Sequence, residues 1–472
     1  MTTRTAPAAD PLRSAFDQWS SAALGAQTLW VRSLGPSAIE AARHARLEAL
    51  IRLARARSPF YRDAWQHLPA GLLPLAGLPV VTKRRLMDAF DDWCTDRAVT
   101  RDAVDGFLAH RTQIGEFFLG EYLVWTSSGS TGEPGIYVQD RGALATYDAL
   151  VNVQLAGPAF AGCDWQAVAA QGGRAALVTA DSDHFASIAS WRRLAHGKPW
   201  LAMKSFAVTQ PLPDLVRDLN AYQPAFVSSY PTVLSLLAEE QAAGRLRVRP
   251  TALWSGGEGL SLAGRNGIER AFGCPLLNEY GASECLTIGH GCRAGWLHIN
   301  ADWAILEAVD RDYRPTSPGE LSHTVLLTNL ANAVQPIIRY DLGDRVRMHE
   351  GRCACGSPLP AMQVEGRSDD VVTVHAADGR PVRLVPLALT TIVEDAALVH
   401  RFQIVQSAPD RLELRLMAID RARAGAAAIT ALREYLDHHG LANVKVHLAR
   451  GEPQPEPEER GGKLRQVVAL RA

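Results

Sequence analysis

The sequence predicts an α/β protein in two parts. A large N-terminal domain of helix-covered sheets with a β-rich subdomain is followed by a small α+β C-terminal domain. Three observations carry this expectation. At 472 residues the chain exceeds what one hydrophobic core usually serves. Through its middle, short apolar stretches of strand length alternate with longer helix-compatible ones, the pattern of a mostly parallel sheet covered by helices. From about Thr324 the texture turns β-like, and the chain after Arg367 brings its own strand and helix signals. The boundary is placed at Gly366, giving domains 1–365 and 366–472.

Each element has a local reason. Ile39, Ala42, Leu47, Leu50, Ile51 and Leu53 recur among Arg and Ala between Pro36 and Trp65, an amphipathic helix that Ser58-Pro59 interrupts. Its arginines read as a solvated face. Leu123–Thr126 is a short strand before a glycine-rich run, and helix resumes from about Gly142 to Leu155. Arg174–Ala180 and Ala225–Tyr230 are buried strands, the second leading through Pro231 into a helix that ends near Gly244. Ala252–Ser255 followed by Gly256-Gly257-Glu258 repeats the strand-then-glycine design, and ligands in such sheets bind beyond the strand ends. Val325–Thr328 and Pro336–Tyr340 are strands between polar turns; Val371–Val374 with Ala377-Asp378-Gly379-Arg380 is a hairpin; Ile429–His439 is a helix.

Composition excludes several classes. A formal net charge of −1 gives no electrostatic case for a nucleic-acid partner. No apolar run reaches membrane-spanning length, and Met1–Pro11 lacks the charged start and apolar core of a secretory signal, so a cytoplasmic protein without membrane contact is expected. Seven scattered cysteines, an odd number in a long chain, do not make a disulfide framework; reduced thiols or metal ligands fit better. The chain is expected as monomer or homodimer.

Five motifs carry chemistry. Ser127-Ser128-Gly129-Ser130-Thr131-Gly132 places small residues, backbone donors and hydroxyls where a polyphosphate can lie, although the same composition also makes surface turns. It lacks the G-x-x-x-x-G-K-[ST] pattern of P-loop NTPases. Downstream come Asn278-Glu279-Tyr280-Gly281-Ala282-Ser283-Glu284, Arg339-Tyr340-Asp341-Leu342-Gly343-Asp344, Gly366-Arg367-Ser368-Asp369-Asp370 and Gly461-Gly462-Lys463.

Taken in this order, the motifs resemble the adenylate-forming superfamily of acyl-CoA synthetases, adenylation domains and luciferases. The best match is its phenylacetate-CoA ligase and coenzyme F390 synthetase-like branch, from about Val80 to the C-terminus. The resemblance implies ATP and Mg²⁺, with Ser127 through Gly132 as the phosphate loop and Glu284 holding Mg²⁺ by a hard carboxylate. The family commonly has Lys after the Gly-x-Pro segment, where Gly135 stands here. Gly256, Gly257 and Glu258 with Glu279, Tyr280, Gly281 and Ser283 would form the adenine side, Tyr280 offering a stacking face. Asp344 matches the ribose-binding position, or is a turn carboxylate like Asp341. Arg367 would contact ribose or phosphate, Asp369 would be the hinge of a mobile C-terminal domain, and Lys463 would bridge carboxylate and α-phosphate in the adenylation step.

Cys292, His298, Cys353 and Cys355 form a second constellation. Three sulfurs and an imidazole suit tetrahedral Zn²⁺ in a closed structural site; buried free thiols are the alternative, with Cys285 as a substitute ligand. Cys94, Cys163 and Cys274 are expected in the core.

The implied activity is an AMP-forming ligase. A carboxylic acid, aromatic by resemblance, is converted to an acyl-adenylate with pyrophosphate release, and its acyl group passes to coenzyme A. The rival acceptors are an amine, a coenzyme F420-like phenol or nitrite; a nucleotide-binding module without activity is the non-enzyme reading.

Overall fold

The computed structural model describes residues 11–69, 74–127, 134–170, 172–181, 183–197, 201–365, 371–399, 401–454 and 465–470. It is an α/β fold with a larger N-terminal and a smaller C-terminal part. The expected Gly-rich-loop residues Ser128, Gly129, Ser130, Thr131 and Gly132, and Arg367, Asp369 and Lys463, lie outside the described residues.

A nine-stranded sheet forms the centre. One half is parallel, as the alternating sequence predicts: Met203–Ala207, Ala175–Thr179, Phe226–Ser229, Ala252–Gly256 and Leu276–Ala282 lie side by side in that order. The other half departs from the expectation. Leu276–Ala282 turns straight back into Cys285–Gly291, and Leu297–Ile299, Ala361–Glu365 and Arg345–Met348 extend the sheet antiparallel. The β-rich texture therefore begins near Leu276, earlier than Thr324. The strand Tyr122–Thr126 also stands apart, pairing antiparallel with Ile136–Gln139 in a three-stranded sheet. The reversal starts where only Ser283 and Glu284 separate Leu276–Ala282 from Cys285–Gly291, because a two-residue turn enforces antiparallel pairing.

Helices cover the parallel half. Pro231–Ala242 buries Val233, Leu234 and Leu237, and Leu262–Phe272 buries Ile268 and Phe272, against one apolar layer with Val178, Val227 and Leu253. Leu123–Trp125 and Ile136–Val138 belong to a different core, where Trp93, Trp125, Tyr137 and Tyr147 are fully buried.

The N-terminal helices Pro11–Ser33 and Pro36–Arg57 are bound to a segment far along the chain. The first of them carries no signal that the sequence reading used. Arg32 pairs with Asp302 at 2.8 Å, Arg46 donates to the Asp302 carbonyl at 2.6 Å and stacks over Trp303, and Tyr61 and Trp93 both donate to the Pro336 carbonyl. Arg339, buried with φ +50°, pairs with Glu307 at 3.1 Å and donates to the carbonyls of Ala76 and Leu78.

Residues 372–467 pack a core of their own around Leu389, Phe402, Leu412 and Leu432. It joins the hairpin Val372–His375 and Pro381–Leu384, the helices Pro386–Ala397 and Arg421–His438, and a four-stranded sheet. The last helix starts eight residues before Ile429, where Asp420 caps it by accepting from Arg423 N at 3.0 Å. Arg383 bonds Glu239 at 2.5 Å and Ala388 enters the apolar layer of the parallel half, so this unit rests on the large one. Among the described residues no helix is long and apolar enough to cross a membrane.

Candidate active site

A cleft of about 1930 Å³ opens at the C-terminal ends of the parallel strands. It brings together every described site residue named from the nucleotide motifs: Ser127, Gly256, Gly257, Glu258, Glu279, Tyr280, Gly281, Ser283, Glu284 and Asp344. From the C-terminal unit, Pro386, Thr390, Glu394 and Gln466 complete its wall.

Ser127 closes the base of the Gly-rich loop. Its N–H donates to the Gly135 carbonyl at 2.9 Å, and its Oγ accepts from Gly135 N at 2.8 Å. Gly135 is itself explained by sterics: a Cβ there would sit 2.6 Å from the Tyr137 ring. That ring matters because Tyr137 donates its hydroxyl to Glu284 Oε1 at 2.5 Å, and Tyr340 donates to the same oxygen at 2.7 Å. Burial and the adjacent carboxylate push both phenols well above their ordinary value, so both remain donors. Two hydroxyls on Oε1 hold the otherwise buried Glu284 in one rotamer and leave Oε2 for a cation. Asn329 donates to the Glu284 carbonyl at 3.0 Å and Trp125 to the Ser283 carbonyl at 2.8 Å, fixing the backbone as well.

Tyr280 and Asp344 meet directly, the phenol donating to Oδ2 at 2.8 Å. Gly281 between them and Glu284 has no alternative, because a Cβ would lie 1.9 Å from the Leu286 carbonyl of the returning strand. Gly257 takes φ +81° against the Tyr230 ring. Glu258 caps the helix after Pro231, accepting from Thr232 N at 3.0 Å and Thr232 Oγ1 at 3.1 Å. Asp341 is a turn carboxylate, accepting from Thr324, Tyr313 and Gly343 N. Glu279 takes a bond from Trp254 Nε1 at 3.1 Å, and burial raises its carboxyl to about 8.

Sequence reasoning missed Tyr137, Tyr340 and Trp254. Tyr340 lies inside a motif that was read for its aspartates, and only the contact across 56 residues shows its use. Tyr137 carries no local signal.

The four ligands Cys292, His298, Cys353 and Cys355 converge, their donor atoms all within 4.8 Å of one another. Cys292 and Cys353 sulfurs lie 3.8 Å apart, which is about the edge of a tetrahedron with Zn–S bonds near 2.3 Å. The Leu359 carbonyl takes the Nδ1 proton of His298 at 3.1 Å, which turns a bare Nε2 toward Cys355 Sγ at 3.0 Å. The donor set therefore fits zinc. Cys285 is excluded from it, buried instead against Tyr147. Cys94 is buried as expected, whereas Cys163 and Cys274 are only half-buried.

Residues 121–322 match the family model of the AMP-binding enzymes. Protein CapK of Staphylococcus aureus is 27% identical over 135 residues, a match spanning 28% of this chain and 28% of that protein. Among solved structures, 2-hydroxyisobutyryl-CoA ligase with 2-HIB-AMP and CoA in the thioesterification state has a TM-score of 0.51 at 22% identity, covering 92% of this chain and 89% of that one. The same ligase in its postadenylation state with R3-HIB-AMP also gives 0.51, at 21% identity over 99% and 94% of the chains. At such identities the likeness shows the fold. Residues 121–322 thus match an AMP-binding enzyme domain, and the chain around them shares the fold of these ligase structures.

Proposed function

We propose that the protein is an ATP-dependent, AMP-forming ligase that activates a carboxylic acid as its acyl-adenylate, releases pyrophosphate, and transfers the acyl group to coenzyme A. The observation that carries the proposal is the single cleft in which Ser127, Glu284, Tyr280 and Asp344 face one another. Attack of the acid on the α-phosphorus piles negative charge on both fragments, which calls for backbone donors and cations placed in advance.

In this reading the loop from Ser127 to Gly132 cradles the phosphates. Glu284 Oε2 holds Mg²⁺, whose charge offsets that on the polyphosphate, while Tyr137 and Tyr340 keep the carboxylate oriented. Asp344 receives the ribose hydroxyls, its second oxygen already aligned by Tyr280. Arg367 and Lys463 supply the mobile cations, and Asp369 is the hinge of residues 366–472. Gly135 removes the lysine that relatives carry there, so neutralisation rests on the metal and Lys463. The branch is that of the phenylacetate-CoA ligases and the acid is aromatic, which the cleft's Tyr230, Trp191 and Trp254 suit. The cluster of Cys292, His298, Cys353 and Cys355 holds a structural Zn²⁺ whose four protein ligands leave no open position.

The test is acid-dependent pyrophosphate release from Mg·ATP across a panel of acids, followed by mass analysis after coenzyme A is added. Pyrophosphate and a thioester equimolar with AMP are expected. Adenylate that accumulates and is consumed only by an amine or nitrite would overturn the choice of acceptor.

A further inference from the structure

One carboxylate in the cleft, Glu279, which its motif places on the adenine side, takes no part in the phosphate, metal or ribose roles proposed above. Glu279 lies on Leu276–Ala282 opposite Gly256 of the neighbouring parallel strand. Its Oε2 accepts from Trp254 Nε1 at 3.1 Å, while its Oε1 is buried and has no hydrogen-bond partner among the described residues. The Thr287 hydroxyl is close enough to bear on the carboxyl, but it makes no bond of normal geometry and is itself unpartnered. No cation acts on the group; burial dominates its environment. Trp254, which bonds it, belongs to one apolar cluster with Leu155 and Phe226, and all three line the same cleft.

A buried acceptor without a partner costs about 1–3 kcal/mol, more when charged, and such an atom in a ligand cavity is accounted for when the ligand brings the donor. An unsubstituted hydrocarbon acid would leave Oε1 unpaired and dry. Resting on the ligase reading above, we propose that the acid this protein activates carries a hydrogen-bond donor, a hydroxyl or an amino group, at the end remote from its carboxyl. Glu279 Oε1 receives that donor, and the body of the acid lies along Trp254 and Phe226. Glu279 is thus a specificity-determining residue, and Trp254 is its positioning residue.

The experiment compares matched acids on the full-length protein with Mg·ATP at a pH above about 8, where the Glu279 carboxyl is ionised and Oε1 is an acceptor only. 3-Phenylpropanoate is set against its 4-hydroxy and 4-amino forms, and hexanoate against its 6-hydroxy and 6-amino forms. Binding is read by calorimetry and pyrophosphate release is followed in the same samples. A donor-bearing acid should bind at least about tenfold more tightly than its parent in one series, because a site built around a hydrogen bond rejects the analogue that lacks it. Glu279→Leu should abolish or reverse that preference. The isosteric Glu279→Gln guards against misfolding and should keep a preference for the hydroxyl while losing one for the charged amine. Parents binding as tightly as their substituted forms in both series, or a preference that survives Glu279→Leu, would overturn the proposal and leave Glu279 as a structural partner of Thr287. Pyrophosphate release without donor preference defeats this inference alone; donor-selective binding without pyrophosphate release defeats the ligase reading alone.

Discussion

Tyr280 donates its hydroxyl to Asp344 at 2.8 Å, tying the strand that carries one nucleotide motif to the turn that carries another. The bond fixes one oxygen of a carboxylate that lines the cleft. Asp344→Ala should raise the KM for ATP at least about tenfold, since a charged hydrogen-bond acceptor contributes roughly 1.5–3 kcal/mol, while the KM for the acid changes little. Steady-state pyrophosphate assays with each substrate varied in turn check the split. A rise confined to the acid would contradict the ribose assignment.

Glu284 is held by two phenols on one oxygen. Tyr340→Phe removes one of them and should cost about 1 kcal/mol of stability, with the Mg²⁺ concentration for half-maximal pyrophosphate release rising several-fold. Glu284→Gln should lose most activity at any Mg²⁺ concentration. A Mg²⁺ titration of both variants, with denaturant melts alongside, separates the loss of orientation from the loss of the ligand.

Lys463→Ala should lower the rate of adenylate formation by roughly a hundredfold or more while ATP still binds, because it removes a transition-state contact. Asp369→Pro should instead impair acyl transfer more than adenylation by stiffening the hinge. Single-turnover measurement of each half-reaction distinguishes them, and an equal loss of both steps in the proline variant would dismiss the hinge.

Metal analysis of protein purified without added zinc should give one Zn²⁺ per chain. Replacing Cys353 and Cys355 together by Ser should release it and lower the Tm by several degrees before the chemical step suffers, since a closed site contributes folding energy. Both thiols freely alkylated in metal-free wild type would remove the site.

Glu279 ionises in the unfolded chain near 4.5 and in the folded one near 8. Between those values the folded state binds the extra proton, so this group stabilises the fold fully below about pH 4.5 and loses that contribution as pH rises through 8. Glu279→Gln cannot ionise, so its Tm relative to wild type should climb between pH 5 and 8. Parallel melting curves that stay a constant distance apart would show that the carboxyl is not desolvated.

The motifs could be read along the chain because each packs its chemistry into a few consecutive residues. The family match over 121–322 covers the first two motifs, and one cleft gathers Ser127, Glu284 and Asp344. The parallel strands were also legible, since each is a short apolar run followed by a helix. What escaped was pairing across distance. The returning strand Cys285–Gly291 is Gly- and His-containing and only partly apolar, so its local pattern did not mark it as an extension of the central sheet. Tyr137 and Trp254 lack any local mark because their roles consist of single bonds to Glu284 and Glu279, respectively 147 and 25 residues away.

The bonds from Tyr61 and Trp93 to the Pro336 carbonyl span 275 and 243 residues, and Arg339 reaches back to Ala76 and Leu78 over a similar distance. During synthesis the helices of the first hundred residues therefore leave the ribosome long before the segment that covers them exists. Their apolar faces wait, exposed, for half a minute or so at 5–20 residues per second. A truncation before Pro336 strips the partner from Trp93, and a fragment limited to residues 121–322 contains neither side of that contact. The bonds that tie the chain's beginning to this segment can form only after residue 336 has been made.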